Sequence, residues 1–386
     1  MSMLNKINII GAGVSGLFLG YCLKKNGFNP IIYEKDKSLS DNGAGVNLSG
    51  NATILLKEVG ILDKLSEYAY FPNKVNFRSS HNNSVIKSLQ LNKDNFDFIS
   101  IDRKDLISVL ASEYINLGGE IRFNHELEHV SSSKIFFKNN SSYETDLTFA
   151  CDGIKSKIRE NKFNEEPPKF TGLIAWRGIV DLEKLPDKEI WTEINIHLGP
   201  GGHIVHYPIS KGKRINFVAI KQQNTWEEES WILEGKKDQL LIEFNSWNSE
   251  IKDLFNKAEK VNKWGLFERK ATKTLFNKNI ILMGDAAHPM LPFLAQGSCL
   301  AIEDAFTFSD LLKNKKISLA LRQYEILRLA RGNKVQSRSK RQGKLNHLSN
   351  KLAVFLRNLL LKIFAERTQR SIHQYNVIRE IRRLPN

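Results

Sequence analysis

Ile7-Asn8-Ile9-Ile10-Gly11-Ala12-Gly13-Val14-Ser15-Gly16 carries a short strand-forming run straight into three glycines at the spacing G-x-G-x-x-G. A helix is expected from there to about Asn26, then a second strand at Pro30 to Tyr33 that ends in Glu34, 18 residues beyond Gly16. Strand, glycine turn, helix, strand and acid in this order make a dinucleotide-binding βαβ unit. Gly11 permits the tight turn, Gly13 lets a pyrophosphate approach the helix N-terminus, and Gly16 lets helix pack on strand. Glu34 can accept hydrogen bonds from a ribose diol. The pattern alone leaves NAD and FAD both open.

Outward from this unit, Asp102 is expected to cap a helix through Ile115 that stops at Gly118-Gly119, with Asp105 in its first turn. Strands are expected near 121–124, 134–137 and 146–149, the last running into Cys151-Asp152-Gly153. From Pro167 to about Lys270 the texture changes to strands rich in aromatic and β-branched residues: Leu173 to Val180, Ile190 to Leu198, His203 to Tyr207 and Ile215 to Ile220. The chain then returns to a buried strand at Asn279 to Met283 and a helix from Ser298 to Leu312. The fold expected is α/β: a discontinuous Rossmann-like domain (1–165 and 271–345), an inserted antiparallel β-sheet domain (166–270, joined by strands from about 72–100), and a basic helical segment (346–386). Helical periodicity covers 317–345 and 350–376.

The 386 residues, 41% hydrophobic, can bury one or two cores. Met1 and five further residues precede Ile7, which leaves no space for a signal peptide, and no run of 18 apolar residues suggests a transmembrane span. Cys22, Cys151 and Cys299 are odd in number and far apart, against a disulfide framework or a metal site, so a cytoplasmic location is expected. Net charge is +15, and residues 311–386 hold 19 Lys and Arg against 3 Asp and Glu, so the basicity belongs to the tail. An anionic membrane surface, an acidic partner or merely solvated helical faces would each accept it; without aromatic interleaving or a nucleic-acid motif, no nucleic acid is expected.

The second half of the chain narrows the cofactor. Met283-Gly284-Asp285-Ala286-Ala287-His288-Pro289, Pro292-Phe293-Leu294-Ala295-Gln296-Gly297-Ser298 and Ala301-Ile302-Glu303-Asp304-Ala305 resemble the class A flavoprotein aromatic hydroxylases, whose FAD-binding domain is of the p-hydroxybenzoate hydroxylase type. The resemblance implies that Gly284 and Asp285 bind the ribityl chain, and that the helix after Gln296 aims its N-terminus, at Gly297 and Ser298, at the flavin pyrimidine. Reduced flavin carries negative charge near N1 and O2, which a positive helix end stabilises. Cys151-Asp152-Gly153 with Ser156 and Arg159 resembles the family's Asp-Gly motif, Arg103 its phosphate-contacting arginine, and Gly43-Ala44-Gly45-Val46-Asn47 with Asn51-Ala52 the loop beside the flavin. The same resemblance adds Lys35 and Val130 to the cofactor-binding set. It covers roughly residues 5 to 340, and "AWRGIV", "HYPISKGKRINFV", "WEEESW" and "PFLAQG" look most like salicylate hydroxylases and hydroxybenzoate or hydroxynicotinate monooxygenases.

What the resemblance implies is NADH- or NADPH-dependent reduction of FAD, reaction with O2 to a flavin C4a-hydroperoxide, and hydroxylation of a small aromatic acid by a monomer or homodimer. No second glycine fingerprint marks a stable NAD(P)H site, and no metal is required. By the period-two rule His203, Val205 and Tyr207 share one face of a strand. His203 and Tyr207 match polar positions lining the substrate site and are expected to deprotonate or orient a phenol. Pro292, Phe293 and Gln296 are expected near the flavin by proximity. Two rivals stand: a membrane-associated flavin hydroxylase or epoxidase acting on a quinone precursor or isoprenoid, with the basic helices and Leu352 to Phe364 on the lipid, and a flavin-binding interaction protein without turnover.

Overall fold

In the computed structural model, residues 5–39, 44–92, 97–223 and 233–385 are described. Gly43 of the flavin-side loop and the whole of "WEEESW" fall outside them. The glycine-rich unit forms as the pattern dictates: Ile7–Ile10, the helix Val14–Lys25 and Pro30–Tyr33. Ile7–Ile10 lies parallel between Pro30–Tyr33 and Leu147–Ala150; Glu120–Arg122 and Ile280–Leu282 extend the two sides, and antiparallel Phe276–Asn277 closes one edge. The neighbours Ile7–Ile10, Leu147–Ala150 and Ile280–Leu282 come from three remote parts of the chain, so this sheet alone brings the first glycines beside the Gly284 turn.

Alternation along Pro30–Tyr33 separates the layers. Ile32 meets the helix at Gly20, where a Cβ would lie 2.9 Å from its Cδ1. The next side chain, Tyr33, stacks at 4.8 Å on Phe137 of the meander Leu127–Val130, Lys134–Phe137 and Ser142–Glu144. Arg103–Asn116 and Gly297–Asn314 flank the first helix. Asp102 caps the former by accepting from the Lys104 amide at 3.0 Å.

The second sheet has eight strands, in the order Leu233–Glu234, Val261–Glu268, Lys169–Asp181, Arg214–Gln222, Gly202–Ile209, Ile194–Gly199, Lys74–Ser79 and Val85–Gln90. It is antiparallel except where Ile194–Gly199 pairs with Lys74–Ser79. The strand expected from Ile190 begins only at Ile194, because Lys188–Thr192 is a 3-10 turn that buries Trp191 and lets its indole donate to the Pro186 carbonyl at 2.7 Å. Two helices not expected within this stretch, Lys237–Glu243 and Ser249–Lys257, cover one face, packing Leu240, Phe244, Leu254 and Phe255 on Trp176, Ile204 and Phe217. The opposite face carries Tyr207, Val205 and Ile196, against which Leu361 and Ala365 of the late helix Lys351–His373 pack. Between the sheets' connections runs the long helix Ile317–Asn346, and Val377–Arg382 ends the chain.

Candidate active site

The three glycines of the turn meet different surroundings. Gly11 adopts φ +106°, and a Cβ there would lie 2.4 Å from the Cys151 carbonyl oxygen. At Gly16 it would lie 1.9 Å from the Gly11 carbonyl oxygen, so only glycine lets helix and strand approach. At Gly13 it would meet nothing within 4 Å. The open space thus lies over the second glycine, at the start of a helix that no side chain caps, where free amides and the helix dipole favour an anion. Glu34 braces the turn by accepting from the Ala12 amide at 2.7 Å and the Asp36 amide at 3.1 Å. Lys35 beside it is exposed, whereas the Val130 side chain is buried in the core.

Gly284 packs on the first helix: at φ +56°, its Cβ would lie 3.0 Å from Ser15. Asp285 next to it is exposed, yet the surrounding protein pushes its carboxyl pKa up while the Arg103 guanidinium pulls the other way. Desolvation disfavours the charged carboxylate and the nearby cation favours it. Burial lowers the pKa of Arg103, and the carboxylates that oppose this are Asp285 first and Glu34 second. The Arg103 guanidinium is therefore within electrostatic reach of both Asp285 and Glu34. A Cβ on Gly297 would lie 3.7 Å from the Asp285 carboxylate, so the uncapped N-terminus of Gly297–Asn314, with the half-buried Ser298, opens on the same groove. Asp152 completes the wall; burial raises its pKa to about 6 against a Ser156 hydrogen bond, and its Oδ1 is buried without a partner.

The substrate-sheet face meets the groove at Gly45. Its amide donates to Asn216 Oδ1 at 2.8 Å, and a Cβ would lie 2.5 Å from Tyr207 Cε2 and 2.7 Å from the Tyr207 hydroxyl. Gly45, expected to touch the cofactor, is thus wedged against the inserted sheet; Val46 after it is half-buried and pairs with Ile101. Burial pushes the Tyr207 hydroxyl pKa well up, with Arg177 opposing, so Tyr207 stays a protonated donor. Arg177 lies 4.7 Å over the Trp264 ring with its Nε buried and unpartnered, and Asn216 Nδ2 is likewise buried without a partner. His203 Nδ1 is 2.8 Å from His347 Nε2, and burial, then His347, hold its pKa well below the ordinary value. A neutral imidazole tethered to His347 is thus held in a fixed orientation on this face. Leu173, Val218, Ile220, Leu291 and Phe293 make the rest of this wall apolar.

The FAD binding domain family matches residues 5–339. The chain belongs to the FAD-dependent aromatic hydroxylases. It is 30% identical over 354 residues to a 3-amino-4-hydroxybenzoate 2-monooxygenase of Streptomyces platensis, covering 89% of each chain. To a 3-hydroxybenzoate 6-hydroxylase of Klebsiella oxytoca it is 26% identical over 374 residues, 94% of each. The solved structure of a salicylate hydroxylase substrate complex superposes with a TM-score of 0.85 at 25% identity, covering 99% of this chain and 98% of that one. FAD is the cofactor, and the groove fits it: open over Gly13, uncapped at two helix ends, and lined by Arg103 and Asp285 at mid-length.

Behind the groove of this hydroxylase lies a support that the sequence did not reveal. Arg328, fully buried, pairs with Glu303 and Asp304 at 2.7 Å each, and Arg331 pairs with Glu303 at 3.0 Å. Asp304 accepts from the Gly284 amide at 3.0 Å and so holds the Asp285 turn. Glu303 accepts from Asn51 at 2.6 Å, and burial opposes its ionisation but Arg331 and Arg328 prevail, leaving its pKa below the ordinary value. Gln296 has turned into this network, donating to Ser49 at 2.8 Å and accepting from Asn51 at 2.9 Å. Its amide fixes the turn that precedes Gly297; Pro292 is exposed and Phe293 buried. Arg159 also positions, donating to the Ala286 and Ala287 carbonyls at 3.1 and 3.0 Å. Arg328 and Arg331 sit one helical turn apart on Ile317–Asn346, and that spacing opposite the adjacent acids Glu303-Asp304 is the signal that could have found them.

Proposed function

We propose that this hydroxylase consumes NAD(P)H and O2 to place one oxygen atom on a small aromatic acid of the salicylate or hydroxybenzoate kind, releasing the other as water. The observation that carries this reading is the set of polar groups on an otherwise apolar wall: the protonated Tyr207 hydroxyl and the unpartnered Asn216 Nδ2 where Gly45 meets the sheet, the unpartnered Arg177 Nε, and His203 further along the same strand as Tyr207, tethered to His347. An aromatic acid needs an apolar slot for its ring, a cation for its carboxylate and a hydrogen-bond donor for its phenolic oxygen. Arg177 answers the second need and Tyr207 the third.

FAD, when bound, supplies the redox chemistry that accepts reducing equivalents and activates O2. Gly13 and the first helix take its pyrophosphate, Glu34 its ribose, Arg103 and Asp285 its middle, and the Gly297–Ser298 amides its ring. Tyr207, with a pKa pushed above the ordinary range, keeps its proton at neutral pH and donates to a phenolic or phenolate oxygen, orienting the ring. His203 presents a neutral imidazole fixed by His347. Leu173, Val218, Ile220 and Phe293 keep water from the reacting face. The relatives named as hydroxybenzoate monooxygenases and hydroxylases support this substrate class.

A panel of hydroxylated aromatic acids, scored for stimulated NADH or NADPH oxidation and for product against H2O2, tests the reading. At least one acid should stimulate oxidation with near-stoichiometric hydroxylated product. Stimulation by none, with FAD bound, would overturn it.

A further inference from the structure

The helix Lys351–His373 leaves one side bare. Leu352, Phe355, Leu356, Leu359, Leu360, Ile363 and Phe364 are 47 to 68% exposed. Their spacing of three and four residues puts them on one face, an arc of roughly half the helix circumference at about 100° per residue. The face runs about 18 Å along the axis at a rise of about 1.5 Å per residue. The opposite side is anchored: Arg357 and Ala365 are buried, and Leu361 packs in the cluster that holds Tyr207. The helix is therefore a firm part of the fold whose outer face none of the described residues covers.

Seven half-exposed large side chains amount to an apolar patch on the order of 800 Å², above the roughly 300–600 Å² that soluble monomers expose. Area alone would suit a second copy of the chain or a lipid surface. Charge separates the two. Lys351, Lys362, Arg367 and Arg370 are exposed on the same helix, whose single acid, Glu366, pairs with Arg370 at 3.0 Å. Residues 311–386 carry 19 Lys and Arg against 3 Asp and Glu. Two copies docked through this face would set cation against cation, whereas an anionic bilayer would neutralise it. Lysine and arginine stems reaching from an apolar face to the phosphate level are the arrangement of an in-plane amphipathic helix. Among the described residues no helix is long and apolar enough to cross a membrane.

We infer that the outer face of Lys351–His373 seats the enzyme on an anionic lipid surface. The inference is independent of which aromatic substrate the groove accepts. Its test is co-sedimentation of the FAD-loaded full chain with phosphatidylcholine vesicles, with and without phosphatidylglycerol, beside light-scattering mass in solution. The protein should sediment with the anionic vesicles, less at high salt, and the double variant Leu356→Glu/Leu360→Glu should lose binding by about tenfold or more. Both positions are exposed, so the variant's flavin absorbance and melting temperature should match those of the wild type. Failure to bind anionic vesicles would overturn the inference. So would a dimer that the variant splits while neither protein binds vesicles, which would assign the face to a second copy.

Discussion

Replacing Gly13 and Gly16 by alanine, one at a time, separates what the glycine turn does for the fold from what it does for the cofactor. Gly13 has φ −80°, which alanine adopts without strain, and the new methyl meets no protein atom within 4 Å. The apoprotein of Gly13→Ala should keep its unfolding stability to within about 1 kcal/mol, the usual worth of a helix N-cap position. The methyl does occupy the space over the helix N-terminus where a pyrophosphate must come closest. Overpacking of this kind costs about 1–3 kcal/mol, which weakens FAD binding by roughly 5–150-fold. Gly16→Ala places its methyl 1.9 Å from a backbone oxygen that cannot rotate away, so helix and strand must separate by more than an ångström to reach ordinary contact. It should destabilise the apoprotein itself, by at least the same 1–3 kcal/mol less about 1 kcal/mol of helix propensity. Fluorescence titration of FAD into each apoprotein, with circular-dichroism melting of the same samples, reads both quantities. Wild-type FAD affinity in Gly13→Ala would refute the placement of the pyrophosphate. A loss of apoprotein stability there as large as in Gly16→Ala would refute the division of labour.

Arg328→Met leaves Glu303 and Asp304 buried, with Arg331 alone against them, and should cost about 3–5 kcal/mol of stability in urea unfolding; an unchanged midpoint would remove the network from the account. Tyr207→Phe should bind FAD as the wild type does and lower kcat for the best aromatic acid about 10–100-fold, below the roughly 100–10,000-fold range of a group that transfers a proton, because Tyr207 keeps its own; an unchanged kcat would show that the hydroxyl does not meet the substrate. Asp152 has a folded pKa raised to about 6 against an unfolded value of about 3.9, so the folded state binds the extra proton between these values. Its contribution is therefore present below about pH 4 and lost as pH rises through about 6. The melting temperature of the apoprotein should show this decline, and Asp152→Asn should flatten it; identical profiles would contradict the burial argument.

What the sequence made legible was whatever local geometry dictates. Gly11, Gly13 and Gly16 could be read because a turn, an anion and a helix contact each demand a small residue at a fixed offset, and Asp102 because an N-cap is a local bond. The resemblance extended this to Asp285 and Arg103, which no local rule connects. The rest depends on tertiary neighbours that periodicity does not encode. That Ser49 and Asn51, some 250 residues earlier, would bond the Gln296 amide could not be read locally. The contact between His203 Nδ1 and His347, from the joint between the last long helices, was equally hidden. Arg328 and Arg331 read as two more charges in a basic tail, although they are the buried counter-ions of Glu303 and Asp304. The exposed face of Lys351–His373 was visible as periodicity, but not that the body of the protein would leave it uncovered.

The placement of FAD along the groove is best tested by a crystal structure of the holoprotein. The pyrophosphate should lie within hydrogen-bond distance of the amides that follow Gly13, with the ribityl hydroxyls on Asp285 and the ring at the Gly297 helix end. A cofactor whose phosphates sit away from the Gly13 helix, or whose ribityl chain does not reach Asp285, would contradict it.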